Sequence, residues 1–234
     1  MAKSDDKAIS ERDSALVRRG TTLPLGETLI PVEAIFNVPA VHPAAVGPWS
    51  LEADKIAWTD ADTKYGVIIR RSPQTGHLCG FVGVGPDHPL YGFTINAIQA
   101  VGVHAHGSID YAEPCQQRVP EQVSVCHVSE DRGQAVPQNA YANAKAEHGD
   151  DAWWIGFSCN QVTDVLPVPT GDPHAKVPAP LAGIVSPEYR DVSYVYDQCM
   201  SLVLQLEAIE AGTGPEPHRI ETPAIGLYPS RKGA

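Results

Sequence analysis

Short apolar runs, one of which alternates with polar residues, occupy the middle of the chain and predict β-strands. Turn-forming residues, chiefly glycine, proline and aspartate, separate these runs. The predicted strands lie at residues 55–59, 65–70, 77–84, 99–106, 123–128 and 153–159. In the fourth of them, Val103 and Ala105 alternate with His104 and His106, so both histidines are expected on one face of a strand.

A long helix is predicted over residues 187–210, where the spacing of apolar residues changes to three and four. Ser186 is a suitable N-cap, Pro187 suits the first helical position, and Glu188 suits the positive end of the helix dipole. The apolar face contains Val192, Val195, Tyr196, Cys199, Val203, Leu206 and Ile209. Several short strands followed by one long helix predict an α+β fold, in which this C-terminal helix packs on a mostly antiparallel sheet.

Both ends of the chain differ from this middle part. Residues 4–19 predict a helix that begins at a Ser-Asp-Asp cap, and residues 21–48 are proline-rich without periodicity, which is typical of an extended arm. Residues 212–234 predict a second proline-rich extended arm. We therefore expect one α+β domain at residues 49–211, between an N-terminal helix and arm at residues 1–48 and the C-terminal tail.

Composition narrows the functional classes. The 234 residues carry a formal net charge of −11, which disfavours a protein that coats a nucleic-acid polymer. No run approaches the roughly 18 apolar residues of a membrane span, and the N-terminus lacks the apolar core of a signal peptide. We expect no membrane association and a cytoplasmic location. The five cysteines are scattered and lack C-x-x-C spacing, which disfavours a disulfide framework or a structural zinc module.

The first candidate for chemistry is the histidine pair. Two imidazoles on one face of a strand can share a metal ion, which His104 and His106 would bind here. Asp110, His127 or Asp164 could supply a third ligand for that ion. The alternative is that one histidine packs in the sheet while the other meets solvent. Because the sequence designates no third ligand, we assign no metal site and no cofactor.

The second candidate is the turn at His106-Gly107. Glycine leaves room for a ligand beside the imidazole, and histidine can act as a general base near neutral pH. Asp110 and Asp164 can orient this imidazole or bind a hydroxyl group. If the protein is an enzyme, His106 and Asp164 are the candidate catalytic residues. The alternative is a structural turn in which Gly107 adopts a positive φ and Asp110 bonds to backbone.

The strand at residues 153–159 runs directly into small and polar residues that end at Asp164, and strand ends of this kind commonly hold ligands. Trp153 and Trp154 point to opposite faces, so one is expected in the core while the other can stack on a ligand. We assign the stacking role to Trp154. The predicted ligand-binding residues are His104, His106, Asp110, Tyr111, Trp154, Ser158, Gln161 and Asp164.

Several segments together resemble a family of uncharacterised proteins found mostly in bacteriophage and prophage genomes. The matching segments are residues 47–49, 54–56, 76–84, 88–92, 106–107 with Tyr111, 126–128, 153–164, 189–195, Cys199, 201–202 and 205–206. The resemblance covers about residues 47–206 and leaves both terminal arms outside. It implies membership of that family without an established activity.

The chain also departs from the family pattern. The family usually has glycine at Ser108, threonine at Asp110, aspartate at Ser158 and histidine at Gln161. The resemblance therefore implies that reactive side chains have been replaced near the expected site, although the candidate catalytic pair is retained. This favours a protein that holds a ligand over one that cleaves it.

Three hypotheses follow for the function. The first is a phage-type accessory protein that binds a small polar ligand, for example a nucleotide-like signalling molecule, and so counters a defence in the host cytoplasm. The second is a His-based or metal-assisted hydrolase that uses His104, His106, Asp110 and Asp164. The third is a structural protein that assembles through its arms, for example as a homo-oligomer.

Overall fold

A seven-stranded sheet organises the chain. The computed structural model describes residues 16–25, 28–127, 151–167 and 187–215. The strands are β1 (Leu16–Leu25), β2 (Thr28–Asn37), β3 (Lys55–Thr59), β4 (Gly66–Arg71), β5 (Leu78–Val84), β6 (Tyr111–Pro114) and β7 (Trp153–Ser158). Every neighbouring pair is antiparallel, in the order β1-β2-β3-β4-β5-β7-β6. Because β7 lies between β5 and β6, the residue that precedes β6, Asp110, is placed beside the end of β7.

One long helix, α2 (Val192–Glu210), covers one face of the sheet. The side chain of Asp191 caps it by accepting a hydrogen bond from the amide of Tyr194 at 2.8 Å. The shorter helix α1 (Ile95–Ala100) lies in the connection between β5 and β6. Gly80 in β5 allows α2 to approach closely, since a Cβ at this position would lie 2.5 Å from the Sγ atom of Cys199.

The opposite face of the sheet has a second apolar core, formed by Ala57, Ile68, Phe81 and Trp154. In the part of the chain that the structure describes, loops cover these side chains, and Val125 belongs to that cover. The described residues thus cover the sheet with a helix on one side and with irregular chain on the other.

A disulfide joins Cys115 to Cys126 and closes the loop that crosses this second face. The Nζ atom of Lys55 donates to the carbonyl of Cys126 at 2.9 Å, which ties the closed loop to β3. A single crosslink of this kind leaves no spacing pattern in the sequence, because it is not part of a disulfide framework. The other cysteines, Cys79 and its two counterparts at positions 159 and 199, are buried free thiols.

A buried guanidinium joins the sheet to the start of α2. Arg71 donates to Asp54 Oδ1 at 2.8 Å, to Glu52 Oε2 at 3.2 Å and to the carbonyl of Gly76 at 2.7 Å. Glu52 in turn accepts a hydrogen bond from the amide of Val192 at 2.9 Å, in the first turn of α2. All three nitrogens of this guanidinium therefore have acceptors within the fold.

The predictions for the N-terminal residues are wrong where the structure describes them. Residues 16–19, which were expected to be helical, belong to β1, and residues 28–37 of the expected arm form β2. Ile30 and Val32 are 5% and 3% exposed, so this hairpin contributes to the core. Pairing with a neighbouring strand overrides the weak local pattern here. The remainder of the predicted helix, residues 4–15, lies outside the described residues.

Two further predicted strands are wrong. Residues 99–106 contain the end of α1 and a loop, since Gly102 has a φ of +93° that interrupts any regular extension. Residues 121–123 form a 3₁₀ turn, and the chain that follows to residue 127 is irregular. The predicted extended C-terminal arm lies mostly outside the described residues, which end at position 215.

The α+β architecture is confirmed as an antiparallel sheet packed by one long helix. Strands are present where residues 55–59, 65–70, 77–84 and 153–159 predicted them, with ends shifted by at most a residue. The long helix begins at residue 192 rather than 187, because Asp191 supplies the cap. Across the described ranges, neither helix is long and apolar enough to cross a lipid bilayer.

Candidate functional site

The predicted ligand-binding residues separate into two groups. His106, Gln161 and Asp164 come together near the start of α2. Asp110, Tyr111 and Ser158 line a cleft on the sheet face opposite α2. The residues expected to line one pocket are therefore divided between two separate sites in the fold.

Two of the predicted residues belong to neither place. Trp154 is 1% exposed and packs against the glycines of the second core, so it is a core residue and presents no stacking surface. His104 is exposed, and its amide and carbonyl bond to the side chain of Gln205 at 3.0 and 2.9 Å. Because residues 99–106 are not a strand, the expected same-face pair of His104 and His106 does not form.

His106 lies at the centre of the first group, which we call the His106 cluster (His106, Asp164, Arg190 and Tyr194). Its Nε2 atom lies 2.7 Å from Asp164 Oδ2, and its Nδ1 atom lies 2.8 Å from the hydroxyl of Tyr194. Arg190 donates from Nε to Asp164 Oδ1 at 3.0 Å, and its guanidinium sits 4.6 Å from the centre of the Tyr194 ring. The other members of the cluster thus come from two segments of the chain, because Asp164 follows β7 whereas Arg190 and Tyr194 lie just before α2 and in its first turn.

The His106 cluster is closely packed and internally satisfied. The side chain of His106 is 9% exposed and that of Asp164 is 0% exposed. Gly107 has a φ of +72°, and a Cβ at this position would lie 2.3 Å from the side-chain nitrogen of Gln161. The glycine therefore permits the turn and the close contact, as the structural alternative for this motif supposed, and little space is left beside the imidazole.

The second group lines the cleft, which has a volume of about 400 Å³. Its floor is a row of side chains that stand directly opposite one another on three neighbouring strands: Arg70 on β4, Cys79 on β5 and Ser158 on β7. Phe81 and Tyr111 form one wall, with ring centres 5.1 Å apart in an edge-to-face arrangement. Gly156 makes room for this wall, since a Cβ there would lie 2.4 Å from the ring of Phe81.

Among the described side chains that line the cleft, Arg70 is the only cation at neutral pH. Its Nη1 atom donates to the carbonyl of Val123 at 2.6 Å and more distantly to Gln116 Oε1 at 3.5 Å. Its guanidinium lies 5.4 Å from the centre of the Phe81 ring. Burial lowers the pKa of Arg70, an effect that Cys79 and Tyr111 oppose, but an arginine remains charged.

Two groups in the cleft are held in their neutral forms. Burial lowers the pKa of His77 to about 4; Asp164 opposes this shift, and Arg71 and Arg70 add to it. Burial also raises the pKa of the Cys79 thiol to about 11, although a hydrogen bond from Ser158 and the charge of Arg70 oppose the shift. At neutral pH the cleft therefore presents an uncharged imidazole and an unreactive thiol.

Asp110 and Tyr111 stand at the edge of the cleft. Partial withdrawal of the Asp110 carboxyl from water raises its pKa, while hydrogen bonds that involve Ser158 act in the opposite direction. Burial raises the pKa of Tyr111 to about 12, and the charge of Glu113 adds to this shift. Among the described residues, the buried hydroxyl of Tyr111 has no hydrogen-bond partner at normal distance and angle.

The described residues do not bring together the metal ligands that were considered as candidates, His104, His106 and a third residue. Over the described part of the chain, no group of three or more His, Cys, Asp or Glu side chains is placed to hold a metal ion. His127, a suggested further ligand, lies on another part of the molecule, where it is buried against Glu33 and Glu121.

Sequence reasoning missed the residues that the cleft takes from β4 and β5. A detectable signal was present, because Arg70 and Arg71 are adjacent charges at the end of an otherwise apolar strand. Successive side chains of a strand point to opposite faces of the sheet, so two adjacent arginines must have different surroundings. The partner of His106 on α2, Tyr194, was likewise visible only as part of the family resemblance.

Comparisons with protein-family models, with curated proteins and with solved structures find no match for this chain.

Proposed function

We propose that the chain is a phage-type accessory protein that binds a small polar ligand in the cleft beside Arg70, Asp110 and Ser158. The observation that carries this proposal is the cleft itself. Its volume of about 400 Å³ is in the range of small-molecule sites, and its lining combines an aromatic wall with several hydrogen-bonding side chains. The phage assignment rests on the sequence resemblance.

The chemistry of the cleft favours binding over turnover. An imidazole with a pKa of about 4 is a weak base, and a thiol with a pKa of about 11 is a weak nucleophile at neutral pH. The His77 imidazole and the Cys79 thiol can form hydrogen bonds, but neither is prepared to transfer a proton near pH 7. A protein of this kind would sequester its ligand intact, and a nucleotide-like signal of a host defence is the first ligand to test.

The test is mass spectrometry of small molecules that are released from the purified protein by heat. We expect an intact molecule that rebinds to the refolded protein and raises its melting temperature. A Ser158→Ala variant should carry less of it than Ser201→Ala, which removes a hydroxyl from α2 at a distance from the cleft. Recovery of cleavage products alone would rule out sequestration.

The second candidate function is hydrolysis at the His106 cluster. One observation favours it: the imidazole of His106 lies between a carboxylate and the Tyr194 hydroxyl, at 2.7 and 2.8 Å. An imidazole oriented by a carboxylate is a common arrangement for proton transfer to or from a hydroxyl. In this arrangement Tyr194 is the group whose proton would move.

The two functions can be separated with matched histidine variants. If hydrolysis occurs at the His106 cluster, His106→Asn should abolish cleavage of model esters and phosphodiesters, while His104→Asn should leave it intact. His104 is a suitable control because it is exposed and outside the cluster. Equal turnover by both variants would remove the cluster from any mechanism.

A further inference from the structure

We infer that the ligand of the cleft carries an oxyanion, either a carboxylate or a phosphate, which forms an ion pair with the guanidinium of Arg70. This inference rests on the proposed function, because it names the chemical class of molecule that the same cleft would hold.

The two neighbouring arginines of β4 differ in their surroundings. Arg71 is buried and has two carboxylates within 3.2 Å, from Asp54 and Glu52. Arg70 is half-buried, yet no carboxylate of the described residues lies within ion-pair distance of it. Withdrawing a guanidinium from water is unfavourable unless a counter-charge compensates. Among the described residues, carboxylates supply that compensation on one face of the strand, and none supplies it on the face that forms the cleft.

The guanidinium of Arg70 is held in place, but no carboxylate of the described residues neutralises its charge. The Val123 carbonyl fixes Nη1 at 2.6 Å, and the ring of Phe81 lies against the guanidinium at 5.4 Å. The Nε atom is buried without a partner, and Nη2 makes no hydrogen bond to any residue that the structure describes. A positioned guanidinium loses little further side-chain entropy when it binds an oxyanion. Nη2 is the donor left for that oxyanion.

His77 lines the same cleft and can supply a second hydrogen-bond donor. Its Nδ1 atom lies 2.6 Å from the hydroxyl of Thr75. When that hydroxyl donates, the proton of the neutral imidazole resides on Nε2, which makes no other hydrogen bond within the described ranges. Nε2–H is then a second donor for the oxyanion. Asp110 at the rim disfavours a second negative group, so the ligand has one oxyanion and a hydrogen-bond donor at its other end.

The experiment measures the melting temperature of the full chain in inorganic phosphate and in acetate, each against chloride at equal ionic strength. We expect one or both anions to stabilise the wild type, by about 3–6 °C at ten times the dissociation constant. Arg70→Gln should lose this response. Arg118→Gln is the matched control, because it removes the same charge from an exposed position and should keep the full response.

A conservative variant protects the test against misfolding of Arg70→Gln. Arg70→Lys keeps the charge but lacks the planar fork, so it should fold and bind the anion about tenfold more weakly. An anion response that is equal in wild type, Arg70→Lys and Arg118→Gln would overturn the inference, as would no response of the wild type to either anion. Stabilisation by phosphate but not acetate would identify a phosphate ligand, and the reverse a carboxylate.

Failure of this inference can be distinguished from failure of the proposed function. A neutral molecule released by heat from the purified protein, together with no response to either anion, would retain the binding function and reject the oxyanion. No released molecule and no response would reject both. A released molecule that carries an oxyanion, and that is depleted in Arg70→Lys but not in Arg118→Gln, would support both.

Discussion

The close approach of α2 to the sheet depends on the absence of a side chain at Gly80, and this can be tested by Gly80→Ala. A Cβ at residue 80 would lie 2.5 Å from Cys199 Sγ and 2.6 Å from the ring of Phe157. Favourable contact between carbon atoms occurs at about 3.5–4.0 Å, so the helix or the ring must move by about 1 Å. The backbone at Gly80 does not have a positive φ, so alanine causes no backbone strain there and steric overlap is its destabilising effect in the folded state.

The magnitude follows from the packing of the site. Cys199 and Phe157 are both 0% exposed, so neither can move into solvent. Adding a methyl group to such a core destabilises by about 1–3 kcal/mol. Alanine also reduces the freedom of the unfolded chain, which offsets about 0.4–1 kcal/mol of that loss. We expect a net loss of about 1–2 kcal/mol in the free energy of unfolding, or roughly 2–8 °C in melting temperature.

Urea unfolding followed by circular dichroism measures this loss, with Gly85→Ala as the matched control. Gly85 follows the same strand, and a Cβ there would meet no atom within 4 Å. In a Cys199→Ala background the effect of Gly80→Ala should be smaller by about 0.5 kcal/mol or more, because one of the two obstacles is gone. Equal unfolding midpoints for Gly80→Ala and Gly85→Ala would refute the steric argument.

Three further predictions concern the rest of the molecule. Replacing Cys115 and Cys126 with serine should lower the free energy of unfolding by about 3 kcal/mol, from the loop of 11 residues that the disulfide closes, and a reductant should then have no additional effect on the urea midpoint. Because its folded pKa of about 4 lies below the unfolded value, His77 stabilises the fold above about pH 6.5, and this contribution of about 3 kcal/mol is lost as the pH falls towards 4. His77→Asn should therefore flatten the pH dependence of stability over that window, and an unchanged profile would contradict the assignment. Asp164→Asn should destabilise by about 3 kcal/mol, since it leaves buried donors of three residues without a carboxylate, and thermal unfolding within 1 °C of wild type would show that the His106 cluster contributes nothing to stability.

Much of the sheet was predictable because the sequences of its central strands favour a strand locally and are also buried in the folded protein. Residues 65–70 and 77–84 are apolar, bounded by turns, and buried in the structure over most of their length. The edge hairpin was not predictable in this way. Its arginines, glycine and prolines weaken the strand pattern, and the pairing of β1 with β2 supplies what the local sequence lacks.

The site was predictable only in part, for a related reason. His106 and Asp164 are in contact as expected, yet their partners are Arg190, which lies just before α2, and Tyr194 in the first turn of α2. No local pattern connects these residues to a turn at residue 107. The cleft depends on cross-strand register, which places Arg70, Cys79 and Ser158 in one row. Register is set by the whole sheet, so residues far apart in sequence become neighbours without any shared motif.

The position of α2 in the chain also determines when the sheet can be completed during synthesis. Strands β1 to β5 emerge from the ribosome first, but the helix that covers them follows on the order of a hundred residues later. At ordinary elongation rates the apolar side of those strands stays uncovered for about 5–20 s. Glu52 can contact Arg71 as soon as both residues are synthesised, but its hydrogen bond with the amide of Val192 forms only after α2 has been made. The nascent chain therefore exposes this apolar surface for a long interval, and we expect a product that terminates before residue 192 to aggregate rather than fold.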